Sequence, residues 1–199
     1  MASLVLSGDT SGSVTIAAPA VAGSTTQTLV NVTGTLAPIV SGTSQTAPFA
    51  VNTLADFTGI PSWAKRVTVM FQGVSTSGSG LVLIQLGTAS SFETTGYSGS
   101  TQFTASYVAY STYTGVPLDT LSSVAAGTVR SGTITFTLQD ATTNTWTVFG
   151  GVSIPTGASA LILTAGFKPL ASALTRVRVT TSNGTDTFDT GCVINILYE

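Results

Sequence analysis

Five carboxylates, Glu93, Asp119, Asp140, Asp186 and Asp189, are the side chains of this sequence best suited to acid–base chemistry, and histidine is absent from all 199 residues. Two such acids on either side of a sugar would form a glycosidase pair, provided they stand several ångströms apart across the scissile bond. Asp140 and Asp186 instead lie in the polar stretches DATTN and NGTD, where a carboxylate accepts local backbone N–H bonds, so both read as turn residues. Without histidine, no Ser-His-Asp or Cys-His nucleophile can be assembled, and the usual zinc ligand sets lack their imidazole. Cys192 is the sole cysteine; it reads as a small core residue and can form no intrachain disulfide. Asp186 and Asp189 lack the third oxygen donor that a calcium site needs. The glycine-rich loop GVSTSGSG has no lysine and no following helix, so it is not a phosphate cradle. No catalytic residue, metal or cofactor is expected, and a carbohydrate-active enzyme is the least favoured of three functional readings.

Binding chemistry is easier to find. Tyr97, Phe103, Tyr107, Tyr110 and Tyr113 lie among serines, threonines and glycines. Such a mixture suits stacking on the apolar faces of sugars while hydroxyls meet sugar OH groups. These five are the candidate glycan-binding residues; the alternative is that they are ordinary core or interface aromatics. Trp63 follows Ile60-Pro61-Ser62 and reads as a structural plug at the entrance to a strand, since proline holds its predecessor extended. Trp146 alternates with Val148 and reads as core.

The elements that would carry these residues are strands. Val67, Val69 and Phe71 alternate with Thr68, Met70 and Gln72, and Ile134, Phe136 and Leu138 alternate with threonines, the two-residue period of a half-buried strand. Residues 81–86 are apolar on both faces, as in a central strand. Residues 145–149 form the partner of residues 133–138 across the DATTN turn. Residues 161–167 read as a further buried strand. In RVRVTTSNGTDTFDTGCVINILYE, residues 176–199, Asn183-Gly184 supplies a type I′ turn, so the segment reads as a terminal hairpin with residues 193–198 returning. A terminus ending in Ile-Leu-Tyr is expected to be tied into a sheet. The strands and tight loops together predict an all-β protein, an antiparallel β-sandwich of jelly-roll-like topology.

Residues 1–46 differ in composition: Asp9 is their single ionisable side chain, and short apolar pairs alternate with Gly, Ser, Thr and Pro. Such a segment buries too little surface to order itself and needs a neighbour; otherwise it is a flexible arm. The expected division is therefore an amino-terminal attachment arm or shaft-like segment, 1–46, and a sandwich head, 47–199. Only 7% of residues are charged and the net charge is −2, which argues against a basic face for nucleic acid. Mean hydropathy is +0.45, yet no run reaches the roughly 18 apolar residues of a spanning helix, so no membrane insertion is expected. The start, MASLVLSGDTSG, lacks the cationic and apolar regions of a secretory signal.

Three blocks resemble the carboxy-terminal domain of bacteriophage tail-fibre and related virion structural proteins: SGSVTIAAPAVAGSTTQTLVNVTGTL, FTGIPSWAKRVTVMFQGVSTSGSGLVLIQLG and the segment 176–199. Residues 98–128 fall outside them. The resemblance implies a virion protein assembled in the host cytoplasm and released by lysis. It implies a homotrimer anchored to other virion proteins through residues 1–46, with host surface polysaccharide as a ligand. A capsid decoration or cement protein is the alternative, the same arm then lying across capsid subunits. Sparse charge and abundant apolar side chains predict an aliphatic, Thr-rich subunit interface almost without ion pairs.

Overall fold

A computed structural model describes residues 3–7, 13–17, 38–103, 106–109, 114–119, 125–155 and 160–199. Among them are fifteen strands and no helix: β1 Ser3–Ser7, β2 Ser13–Ala17, β3 Val40–Ser41, β4 Gln45–Thr46, β5 Leu54–Thr58, β6 Arg66–Val74, β7 Val82–Gly87, β8 Ser98–Phe103, β9 Ser106–Ala109, β10 Val116–Pro117, β11 Arg130–Asp140, β12 Thr145–Ile154, β13 Ala160–Pro169, β14 Arg176–Thr181 and β15 Val193–Tyr198.

The chain divides into two compact units, residues 1–36 and 37–199. In the first, β1 pairs antiparallel with β2, placing Leu4 opposite Ile16 and Val5 opposite Thr15. The boundary falls before Ala37 rather than near Thr46, because β3 and β4 both pair with β15 and so belong to the larger unit. Composition marks the end of the low-charge stretch, whereas pairing marks the end of the fold.

The larger unit is an antiparallel β-sandwich. Its large sheet runs β3-β15-β6-β11-β12-β13-β8-β9, with β4 also on β15, and its small sheet runs β10-β7-β14-β5. One apolar cluster joins them: Val69, Phe71, Phe136 and Ile194 from the large sheet meet Ile84, Leu86, Val177 and Phe57 from the small one. The alternation in β6 and β11 decides which face turns inward, since the apolar rows gain by leaving water, whereas Thr68 and Gln72 of β6 and the threonines of β11 keep their hydrogen bonds by facing it. Strand β7 is buried along its whole length, with Leu83 and Leu81 forming a separate small cluster.

A bulge bends β6 against β11. Arg130 pairs with Val74 and Gly132 with Phe71, which leaves one extra residue on β6. Gly73 adopts a left-handed φ of 65° there, and its N–H donates to Ser131 Oγ at 3.0 Å. Only glycine takes that conformation without steric cost.

The expected terminal hairpin does not form. Asn183-Gly184 does turn the chain, with Gly184 at φ 68° and Asn183 Oδ1 accepting from the N–H groups of Thr185 and Asp186 at 3.1 and 3.2 Å. However, β14 pairs with β5 and β7 in the small sheet, while β15 pairs with β6 in the large one. The connection crosses the sandwich instead, held by Phe188, which is buried against Phe49 with ring centroids 5.2 Å apart.

Candidate functional site

Of the five aromatic residues proposed to bind glycan, Tyr97 is 1% exposed and cannot present its ring to a ligand. Its hydroxyl accepts from Leu86 N–H at 2.8 Å and donates to the Glu93 carbonyl at 2.9 Å, tying the loop before β8 to the core. Burial pushes its pKa well above the usual tyrosine range, with the nearby Glu93 charge adding to the shift and the Leu86 bond opposing it. Phe103 and Tyr107 lie on the paired strands β8 and β9, where Phe103 faces Ser106 and Tyr107 faces Gln102 across the ladder. Tyr110 and Tyr113 lie outside the described residues.

The carboxylates are engaged one by one in the fold. Asp119 and Arg130 form a fully buried ion pair at 2.7 Å, and Glu93 pairs with Lys168 while accepting from Ala171 N–H at 2.8 Å. Asp186 accepts from Gly80 N–H at 2.7 Å, and Asp189 from Ser75 Oγ at 2.6 Å. Asp140 caps its own turn, accepting from Thr142 N–H at 2.8 Å and Thr143 Oγ1 at 3.0 Å, and these bonds hold its carboxyl below the usual range. Cys192 is buried, with Sγ accepting from Ser75 N–H at 3.2 Å. Among the described residues no three His, Cys, Asp or Glu side chains converge on a metal position.

Trp146 is core, as its alternation indicates, being 2% exposed. Trp63 is 40% exposed and rests against Tyr198, with centroids 5.9 Å apart.

The surface with the strongest claim to function is the outer face of the large sheet. Registers place Thr133, Thr135 and Thr137 of β11 beside Gly151, Phe149 and Thr147 of β12, which in turn face Leu163, Ala165 and Phe167 of β13. Phe149 is 66% exposed, Leu161 59%, Leu163 39% and Phe167 46%. Beside them runs a groove of about 550 Å³, lined by Gly151, Phe149, Leu161, Leu163 and the threonines. The one ionisable side chain lining it, Arg66, is paired with Glu199.

The sequence reads residues 161–167 as a buried strand, and β13 is buried on one face only. Its inner row is Ile162, Thr164, Gly166 and Lys168, and its outer row is Leu161, Leu163, Ala165 and Phe167. Hydropathy alone would choose the opposite orientation. Lys168 lies inside because Glu93 and the Pro169 carbonyl receive its ammonium and the Tyr97 ring lies 5.4 Å away. The more apolar row is thereby turned outward. Sequence reasoning missed this face because two-sided apolarity looks like burial; the signal was Lys168, the single charge on an otherwise uncharged strand.

Compared with protein-family models, with curated proteins and with solved structures, the chain matches none.

Proposed function

We propose that this protein is a non-enzymatic structural protein of a bacteriophage virion: a short, homotrimeric, tail-fibre-like protein joined to other virion proteins through its amino-terminal segment, with host polysaccharide as a ligand. The phage character rests on the resemblance of the three sequence blocks. The observation that carries an assembly role is the orientation of β13, which buries Lys168 and turns Leu161, Leu163 and Phe167 outward. A contiguous apolar sheet face of this kind marks a contact with a partner. Because the face carries one charge, Arg66 paired with Glu199, and is otherwise lined with threonine and apolar side chains, its natural complement is a face equally poor in charge, and a second copy of the same chain supplies one. Phe103, Tyr107, Tyr110 and Tyr113 remain the sugar-stacking candidates; the buried Tyr97 does not.

Light scattering on the full chain tests this. A trimer in both low and molar salt is expected, with Leu163→Lys and Phe149→Lys shifting the mass toward monomer. A monomeric wild-type chain would overturn the assembly reading. Antibody labelling of particles would separate the tail position from the capsid: label on the capsid surface would replace the fibre by a decoration protein.

A further inference from the structure

The turn that starts the crossing between the sheets holds a pair of neighbours able to react with each other. Asn183 precedes Gly184, whereas Asn31, Asn52, Asn144 and Asn195 each precede a β-branched residue. With no Cβ beside it, the Gly184 nitrogen is open to approach by Asn183 Cγ. Both residues are exposed, so water reaches them.

The reaction open to such a pair is deamidation. The Gly184 nitrogen gives up its proton and bonds to Asn183 Cγ; the Cγ–Nδ2 bond breaks, and Nδ2 leaves as ammonia with that proton. A five-membered succinimide remains. Water then opens the ring at Cγ to give aspartate, or at the backbone carbonyl to give isoaspartate. The folded turn holds both reacting groups back. Gly184 N–H donates to the Thr181 carbonyl at 3.1 Å, which ties up the attacking nitrogen. Asn183 Oδ1 accepts from Thr181 Oγ1 at 3.0 Å, Thr185 N–H at 3.1 Å and Asp186 N–H at 3.2 Å, which fixes the carboxamide. On its other side, a Cβ on Gly80 would lie 3.0 Å from Asn183 Nδ2 and 2.9 Å from Asp186 Oδ2, so amide and carboxylate share one narrow space.

We infer that Asn183 is a deamidation site controlled by the fold, shut while the 181–186 turn is intact and open once the crossing connection comes apart. The product hinders closure again. An aspartate at this position sets a second carboxylate beside Asp186, a like-charge contact, and an isoaspartate lengthens the backbone of the crossing by one carbon. The inference goes beyond the assembly reading and does not depend on it.

The test follows conversion in the full-length protein, kept native or unfolded in urea in the same mildly alkaline buffer, with tryptophan fluorescence reporting the state. Mass spectrometry of the tryptic peptide that begins at Val179 separates its asparagine, aspartate and isoaspartate forms. Steady conversion is expected in urea, and conversion slower by about tenfold or more in the native protein, since tenfold is the factor that one broken bond of ~1.4 kcal/mol imposes on a rate. Thr181→Val removes one donor to Oδ1 while keeping the side-chain shape, and its native rate should rise roughly threefold to tenfold. Equal wild-type rates in the two states would overturn control by the fold, as would a faster native rate, the donors then stabilising the attacked oxygen. Absence of conversion in urea would overturn the site. A Thr181→Val protein with native fluorescence that converts no faster than the wild type would overturn the hydrogen-bond lock.

Discussion

Arg130 Nε donates to Asp119 Oδ1 at 2.7 Å, and each side chain is only 1% exposed. The pair links the start of β11 to the segment after β10, and each member has a further hydrogen bond: Arg130 Nη1 donates to the Thr128 carbonyl at 2.7 Å, and Asp119 Oδ2 accepts from Val82 N–H at 3.3 Å. Removing one member leaves a buried charge without its counter-charge, which costs about 3–5 kcal/mol. Asp119→Asn should lower stability by that amount in urea titrations. The double change Asp119→Leu with Arg130→Met should recover most of it, because no charge then remains buried. A double variant as unstable as the single one would show that the pair's worth lies in its shape rather than its charge.

Tyr97 joins Leu86 to the Glu93 carbonyl, so Tyr97→Phe strands the Leu86 N–H and should cost about 1–3 kcal/mol at neutral pH. The pH dependence has a definite sign. The unfolded phenol ionises near pH ~10, while burial keeps the folded one protonated above that. The group's contribution is therefore complete below the unfolded value and lost as pH rises through and beyond it. Denaturant titrations from neutral to strongly alkaline pH should show a shallower alkaline decline in Tyr97→Phe than in the wild type. Parallel declines would mean that other groups govern alkaline unfolding.

The regular strands were legible because period-two alternation reports burial directly: Val67, Val69 and Phe71 are inside, as are Ile134 and Phe136. Failures came where a local signal had to choose a distant partner. Asn183-Gly184 specifies a turn, but nothing in those two residues says that Phe188 must reach Phe49, so the hairpin reading followed the turn and missed the crossover. Tyr97 failed for a related reason. A tyrosine among polar residues looks like a surface platform, and only the Leu86 and Glu93 backbone groups, brought up by folding, make it a core residue.

Asp140 offers an acid-side test. Its folded carboxyl is held below the usual range by bonds from Thr142 and Thr143, so it stabilises the fold above the unfolded carboxylate pKa of ~4, and that contribution is lost as pH falls through the lower folded value. Asp140→Asn should therefore have a smaller fall in Tm on acidification than the wild type, measured by calorimetry from neutral to strongly acid pH. An unchanged fall would show that the turn bonds do not discriminate between the charged and neutral forms.

The final prediction separates the two units. Gly42 N–H donates to the Ile196 carbonyl and Ala47 N–H to the Cys192 carbonyl, both at 2.8 Å, and Gln45 Nε2 reaches the Asp56 carbonyl at 2.6 Å. Residues 40–47 thus cover the edge of β15 and reach across to β5. Deleting residues 1–36 should leave the Tm of the larger unit close to that of the full chain. Deleting residues 1–46 should cost roughly 2–4 kcal/mol, from several backbone bonds worth about 1 kcal/mol each, and should expose an unpaired strand edge that promotes association. Thermal melts of the two truncations, with light scattering to detect aggregation, make the comparison. Equal losses in both would mean that residues 1–36 contribute to the sandwich itself, and the division at Ala37 would be wrong.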